Sequence, residues 1–209
     1  QISEGKWVSL LSLPMYLKIN PNNPIISGTY IKTNEKLKNK WKQILSREKK
    51  FIIGINWQGN PEAEKRNMKG RSIPLENFNL ITKQSNVKLL SLQKGFGSEQ
   101  MQRCSFKDKF VNCQNEINNI WDFQETAAII ANCHLIITSD TAIAHLAGGM
   151  GKETWVLLKN LPEWRWGNQG NKTFWYTSTR LFRQKESYNW EEVFYRVSLA
   201  LDEFIHDKE

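Results

Sequence analysis

The chain has 209 residues, 40% of them hydrophobic, and its 29 Lys and Arg outnumber 21 Asp and Glu for a formal net charge of +8. That length suffices for one α/β domain with a little to spare but is short for two, and the apolar content implies a real core. No run approaches a membrane span, and three cysteines (Cys104, Cys113, Cys133) fit neither a disulfide framework nor a zinc spacing, which points to a reducing, cytoplasmic setting.

The first residues lack the layout of a signal peptide and include no initiator Met, so the sequence is expected to be part of a longer protein. Residues 1–50 carry ten Lys and Arg against three Glu, whereas residues 51–209 carry nineteen against eighteen acids. The basic excess therefore lies mostly in Lys32 to Lys50, either as a solvated helix face or as a patch for an anionic surface. No zinc finger, helix-turn-helix or RNA-binding aromatic motif accompanies it, so DNA is not an expected partner.

In chain order, Trp7 to Leu17 is apolar and interrupted by Pro14, and Pro21 to Pro24 reads as a turn or linker. Residues 33–48 have helical spacing through Leu37, Trp41, Ile44 and Leu45, with Thr33 or Asn34 as the cap. Phe51 to Asn56 is the first strand of the main domain. It empties into Trp57-Gln-Gly59-Asn60-Pro61 and a polar loop to Ser72, where Gly59 suits a close backbone approach. The loop carries Lys65, Arg66, Lys69 and Arg71, which are either solvated or a clamp for a diphosphate.

Pro74 to Gln84 reads as a helix, and Val87 to Leu92 as a strand ending at Gln93-Lys94-Gly95. Phe110 to Cys113 suggests a short strand. Asp122-Phe-Gln-Glu125 is a capping box opening a helix to Cys133. Thr154 to Leu158 and Arg180 to Gln184 read as strands, and Trp190 to His206 as an amphipathic helix. The aromatics of Pro162 to Gly167 and Phe174 to Tyr176 suit either stacking at a site or core packing.

The centre of the chain is His134 to Gly151. A strand, Leu135 to Thr138, meets the elbow Ser139-Asp140-Thr141 and a small-residue helix from Ala142 to Met150 closed by Gly151. A helix that starts at a strand's carboxyl end presents free N–H groups and the positive end of its dipole, the arrangement that binds phosphate. Asp140 or Thr141 is positioned to cap this helix, and His145 follows one turn later on the face of Thr141. Spacing alone favours the plainer reading, in which Asp140 or Thr141 is only an N-cap and His145 a satisfied, semi-buried imidazole. The elements alternate as an α/β domain, a Rossmann-like parallel sheet with helices on both faces.

Asp140-Thr-Ala-Ile-Ala-His145-Leu-Ala-Gly-Gly-Met-Gly-Lys resembles the motif of glycosyltransferase family 9, the heptosyltransferases. The wider chain is more similar to bacterial tetratricopeptide-repeat proteins with a C-terminal glycosyltransferase region. That likeness is carried by nine pieces in order: Leu10 to Pro14, Gly54 to Asn60, Arg71 to Leu75, Ser91 to Gly95, Asp122 to Ala127, the Asp140 motif, Glu163 to Trp166, Trp175-Tyr176 and Arg180 to Gln184.

The resemblance implies one half of a GT-B fold. Residues 1–48 would be linker and helix, and 49–209 the nucleotide-sugar-binding domain. The acceptor-side half and tetratricopeptide repeats would lie upstream. It implies inverting, metal-independent transfer from a nucleotide-diphosphate sugar of unknown base to a glycan, lipid-linked glycan or protein, with no cofactor. Asp140 would contact the donor sugar, and His145 would support the diphosphate or orient Asp140. Thr141, Ala142, Ile143 and Arg71 would receive the diphosphate. Gln93 would lie near the ribose, and Trp57, Gly59 and Asn60 would line the donor site. Ala142 stands where the motif has glycine, and Gln93 where heptosyltransferases often have an acid. The alternatives are a catalytically dead binding module and a nucleotide-sugar epimerase.

Overall fold

A computed structural model of the chain describes residues 5–24, 28–66 and 69–208. Five strands form one parallel sheet: β1 (Phe51–Asn56), β2 (Val87–Ser91), β3 (Leu135–Ser139), β4 (Thr154–Leu158) and β5 (Thr179–Arg183), in the order β2-β1-β3-β4-β5. The Rossmann-like α/β reading holds. Because β1 connects outward to β2 while β3 lies on its other side, the strand order reverses beside β1, the place where open α/β sheets bind ligands.

Alternation along each strand divides the core. Ile53, Ile55, Leu135, Ile137, Trp155 and Leu157 point to one face, where they meet Phe78, Phe194 and Val197. Phe194 and Val197 belong to α7 (Trp190–His206). Ile52, Leu90 and Ile136 point to the other face, against α5 (Phe123–Asn132) and α2 (Glu35–Leu45). Trp41 and Leu45 of α2 are buried in this second layer, so the helix shares the sheet's core although it precedes residue 48. Asn34 caps α2 by accepting from the Lys36 and Leu37 amides at 3.0 and 3.2 Å.

Several local expectations are corrected. Pro61–Arg66, read as polar loop, forms the short helix α3, helped by the Asn60 side chain accepting from the Glu62 amide at 2.9 Å. The Arg66 side chain lies outside the described residues. Leu75–Lys83 is 3-10 rather than α-helical. Asn77 donates to the Pro74 carbonyl at 3.2 Å and Thr82 to that of Asn79 at 2.8 Å, side-chain bonds that compete with the α ladder. Phe110 makes only an isolated bridge to Leu89.

The capping box is half formed. Asp122 accepts from the Glu125 amide at 2.7 Å, but the Glu125 carboxylate turns away to Lys40 and to the Trp41 indole N–H, 3.1 Å distant. Glu125 thereby joins α5 to α2. Before them, Leu10–Ser12 and α1 (Leu13–Tyr16) form a surface segment in which Leu10, Leu11 and Met15 are exposed, as is Trp7 ahead of it. Among the described residues, no helix is long and apolar enough to cross a membrane.

The helix after β3 is α6 (Ala142–Gly149), and Gly151 follows with φ 68°, as a C-terminal glycine should. Its glycines serve neighbours other than the sheet. A Cβ on Gly148 would sit 2.6 Å from Tyr176 Cγ, and one on Gly149 would sit 2.7 Å from Ile31 Cδ1. The Tyr30 and Ile31 amides both donate to the Gly149 carbonyl at 3.0 Å, which fastens the preceding segment to the end of α6.

Candidate functional site

The carboxyl ends of β1, β2 and β3 are tied together by side chains. The buried Gln93 amide oxygen accepts from Asn56 Nδ2 at 3.1 Å and from the Trp57 and Gln58 amides at 3.1 and 2.9 Å. Its NH2 group donates to the Gln58 and Phe96 carbonyls at 3.0 and 2.7 Å. Asn56 Oδ1 in turn accepts from the Thr141 hydroxyl at 2.9 Å. Gln93 is thus saturated by the loops that follow β1 and β2.

Thr141 occupies the N-cap position of α6, yet its hydroxyl goes to Asn56 and no side chain caps the helix. The first amides of α6 are left facing a cleft of about 680 Å³, whose walls include Gly59, Asn60, Arg71, Gln93, Thr141, Ala142 and Ile143. Arg71 is placed by two contacts. The Ile73 amide donates to the Trp57 carbonyl at 2.9 Å, and the guanidinium lies against Gly59, where a Cβ would come within 2.6 Å of Cζ. Arg71 also pairs with Glu64 at 3.9 Å.

Arg71 lines a second cleft as well, of about 320 Å³, with Asp140, Lys159 and Glu163. Asp140 is 9% exposed and accepts no hydrogen bond among the described residues. Its oxygens are not among the fully buried unpartnered atoms, so the carboxylate opens to this cleft and accepts from whatever fills it. The two clefts meet at Arg71, one bearing a helix N-terminus and the other a carboxylate.

Two expected site residues lie elsewhere. Trp57 is fully buried in the core, with its indole N–H donating to the Gly97 carbonyl at 3.2 Å, and it does not reach the cleft. His145 sits on the β4–β5 side of α6. Its Nδ1 is 2.9 Å from the Tyr176 hydroxyl and its ring stacks on Trp166 at 5.2 Å. Trp166 and Tyr176, two of the aromatics considered for ligand stacking, are therefore packing residues, and Trp175 donates its N–H to the Arg165 carbonyl at 2.9 Å.

Trp164 of the same group is 52% exposed, but the aromatics on the rim of the larger cleft are others: Phe96, Trp121 and Phe123, all exposed. Lys94 lies beside them, half-buried, with burial pulling its ammonium down to about 8. Trp121 and Phe123 flank Asp122 in the sequence, so their clustering before a helix start was the available signal.

Burial lowers the His145 pKa below its ordinary 6.5; nearby Asp140 opposes the shift and Arg165 adds to it. The unfolded chain therefore binds this proton more readily. The contribution is fully present above 6.5 and is lost as pH falls from there toward the lower native value. The unfolding free energy from urea titrations is expected to decline over that window by at most about 1.4 kcal/mol per pH unit for this group, and His145→Gln should flatten that part of the slope.

No protein-family model matches the chain, and no curated protein does either. Solved structures do. One is a glycosyl transferase family 9 structure from Veillonella parvula DSM 2008, at 14% identity and TM-score 0.56, covering 89% of this chain and 51% of that one. Another is E. coli ADP-heptose lps heptosyltransferase II, at 12% identity and TM-score 0.56, covering 83% of this chain and 54% of that one. The chain thus spans about half the length of these structures, and at such identities the likeness is one of fold: this is a Rossmann-like α/β domain whose architecture matches about half of each of those two structures.

Proposed function

We propose that the chain is the donor-binding part of a glycosyltransferase. The observation that carries this reading is the junction at Arg71 of two clefts, one headed by the uncapped N-terminus of α6 and the other holding the carboxylate of Asp140. A nucleoside diphosphate sugar has matching parts. Its diphosphate meets the Ala142 and Ile143 amides and the Arg71 guanidinium. The sugar hydroxyls donate to the Asp140 carboxylate, which opens to the smaller cleft, and the base stacks on the aromatic rim of Phe96, Trp121 and Phe123.

In transfer, the bond between the anomeric carbon and the diphosphate oxygen breaks as the acceptor oxygen bonds to the opposite face of that carbon. The leaving diphosphate keeps the electron pair, and its growing charge falls on preorganised donors, the helix amides and Arg71. The acceptor's proton passes to a base on a preceding half of the protein, which would also bind the glycan, lipid-linked glycan or protein acceptor. Gly59 and Asn60 shape the wall, and Gln93 holds the floor rather than the ribose. His145 acts as a positioning residue that fixes α6 through Tyr176 and Trp166.

Calorimetric titration with UDP, ADP, GDP and CMP tests the reading. One nucleoside diphosphate should bind, and Arg71→Ala should weaken it about thirtyfold, the loss of a charge-assisted contact. Asp140→Ala should leave the diphosphate's affinity unchanged and weaken only the matching nucleotide sugar. A folded chain and a full-length protein that both ignore every nucleotide would leave the binding-module alternative in its place.

A further inference from the structure

The amino ends of the strands border another cleft, of about 770 Å³, between the ends of α2, α5 and α7. It is remote from Arg71 and Asp140, which lie at the carboxyl ends of the strands. Five lysines line it: Lys42, Lys49, Lys50, Lys152 and Lys208. None of the five pairs with a carboxylate among the described residues, whereas Lys38, Lys40, Lys65 and Lys185 each do. The one acid in the cleft, Glu48, accepts from the Asn112 amide at 2.6 Å.

Part of this charge has a local use. Three helices end here, and their carboxyl ends together carry about −1.5 charges. Lys152 donates to the Ala131 carbonyl at 3.3 Å and Lys50 to that of Ser85 at 2.9 Å. Even with Glu48 subtracted, five ammoniums leave an excess of roughly two and a half positive charges. Cys133, beside Lys152, supplies none of the balance, because burial pushes its thiol up to about 12 and keeps it neutral. Lys152 is half-buried, and burial pulls its pKa down. The cleft also offers a neutral donor. His134 accepts the Ile52 amide on Nδ1 at 2.9 Å, which places its own proton on Nε2, and its ring stacks on Phe51 at 4.6 Å.

We propose that this cleft binds a phosphate group, presented either by an anionic lipid headgroup or by a small phosphorylated compound. Five ammoniums lining one cleft with no carboxylate partner among the described residues, beside the apolar Phe51, Ile52 and Phe204, match a multiply charged oxyanion joined to an apolar body. The site is independent of the donor reading. It gives the lysine-rich segment a role that the sequence left open: Lys38 and Lys40 are spent on Glu35 and Glu125, while Lys42, Lys49 and Lys50 reach the cleft.

The test follows backbone amide signals of the whole chain by NMR during titration with inorganic pyrophosphate, alongside flotation with phosphatidylcholine vesicles with and without phosphatidylglycerol. Free phosphate as the source predicts shifts at Phe51, Cys133 and Lys152, weakened about tenfold by Lys49→Gln with Lys50→Gln. A lipid source predicts flotation only with phosphatidylglycerol, lost in the same double variant. The proposal is overturned by pyrophosphate shifts confined to Ala142 and Ile143 with no flotation. It is equally overturned if any binding observed is indifferent to the double substitution.

Discussion

Gln93→Glu is expected to destabilise the domain by about 3–5 kcal/mol, because it breaks a buried network by removing one partner. The amide oxygen's three contacts would survive the change. The NH2 group's would not: a carboxylate oxygen would face the Gln58 and Phe96 carbonyls, now 3.0 and 2.7 Å from Nε2, with no proton between them. Protonation restores one donor, so the loss should be smaller in acid than at neutral pH. Urea unfolding measures both effects, and a neutral-pH loss under about 1 kcal/mol would show that the loops hold without this amide. The comparison bears on function as well. The loops of this chain are built around an amide at Gln93, so a change to an acid at this position would be felt in the cleft it lines.

Trp57→Ala is expected to cost about 3–5 kcal/mol, as deletion of a fully buried indole does, and to lower Tm by roughly 10 °C. Its ring lies in the core and its N–H is spent on Gly97. Nucleotide affinity, measured well below the variant's Tm, should stay within about threefold of the parent because the indole does not line the donor cleft. A variant that folds nearly as well but loses nucleotide would return Trp57 to the binding site and end its assignment to the core.

The aromatic residues show where reading from sequence stops. Strands β1, β3 and β4 and helix α7 are legible because apolar runs and 3.6-residue spacing are local properties. The side on which an aromatic lands is not local. Trp57 precedes Gly59 and Asn60, a stretch that resembles a site, yet it turns inward, while Trp121 and Phe123, adjacent to an ordinary capping residue, stay open. Helical spacing puts His145 on the face of Thr141, but only the fold shows that Tyr176 and Trp166 claim it from the β4–β5 side. Gln93 stands out in the sequence only as a strand-end polar group. The partners that saturate it sit on the loop after β1, some 35 residues away, and on the loop after β2, a pairing that no pattern in one segment encodes.

The crowding around α6 has a consequence for how such sequences diverge. Tyr176 presses on Gly148, Ile31 and Tyr30 press on Gly149, and Ala144 and Ala147 are fully covered. Substitutions that enlarge any of these would be purged for steric reasons even in a protein that had lost all catalysis. The stretch from Ala142 to Gly151 would thus persist under neutral drift longer than the surface around it. Its survival in a remote descendant would attest first to inherited packing, and only with Asp140 and Arg71 beside it to inherited chemistry.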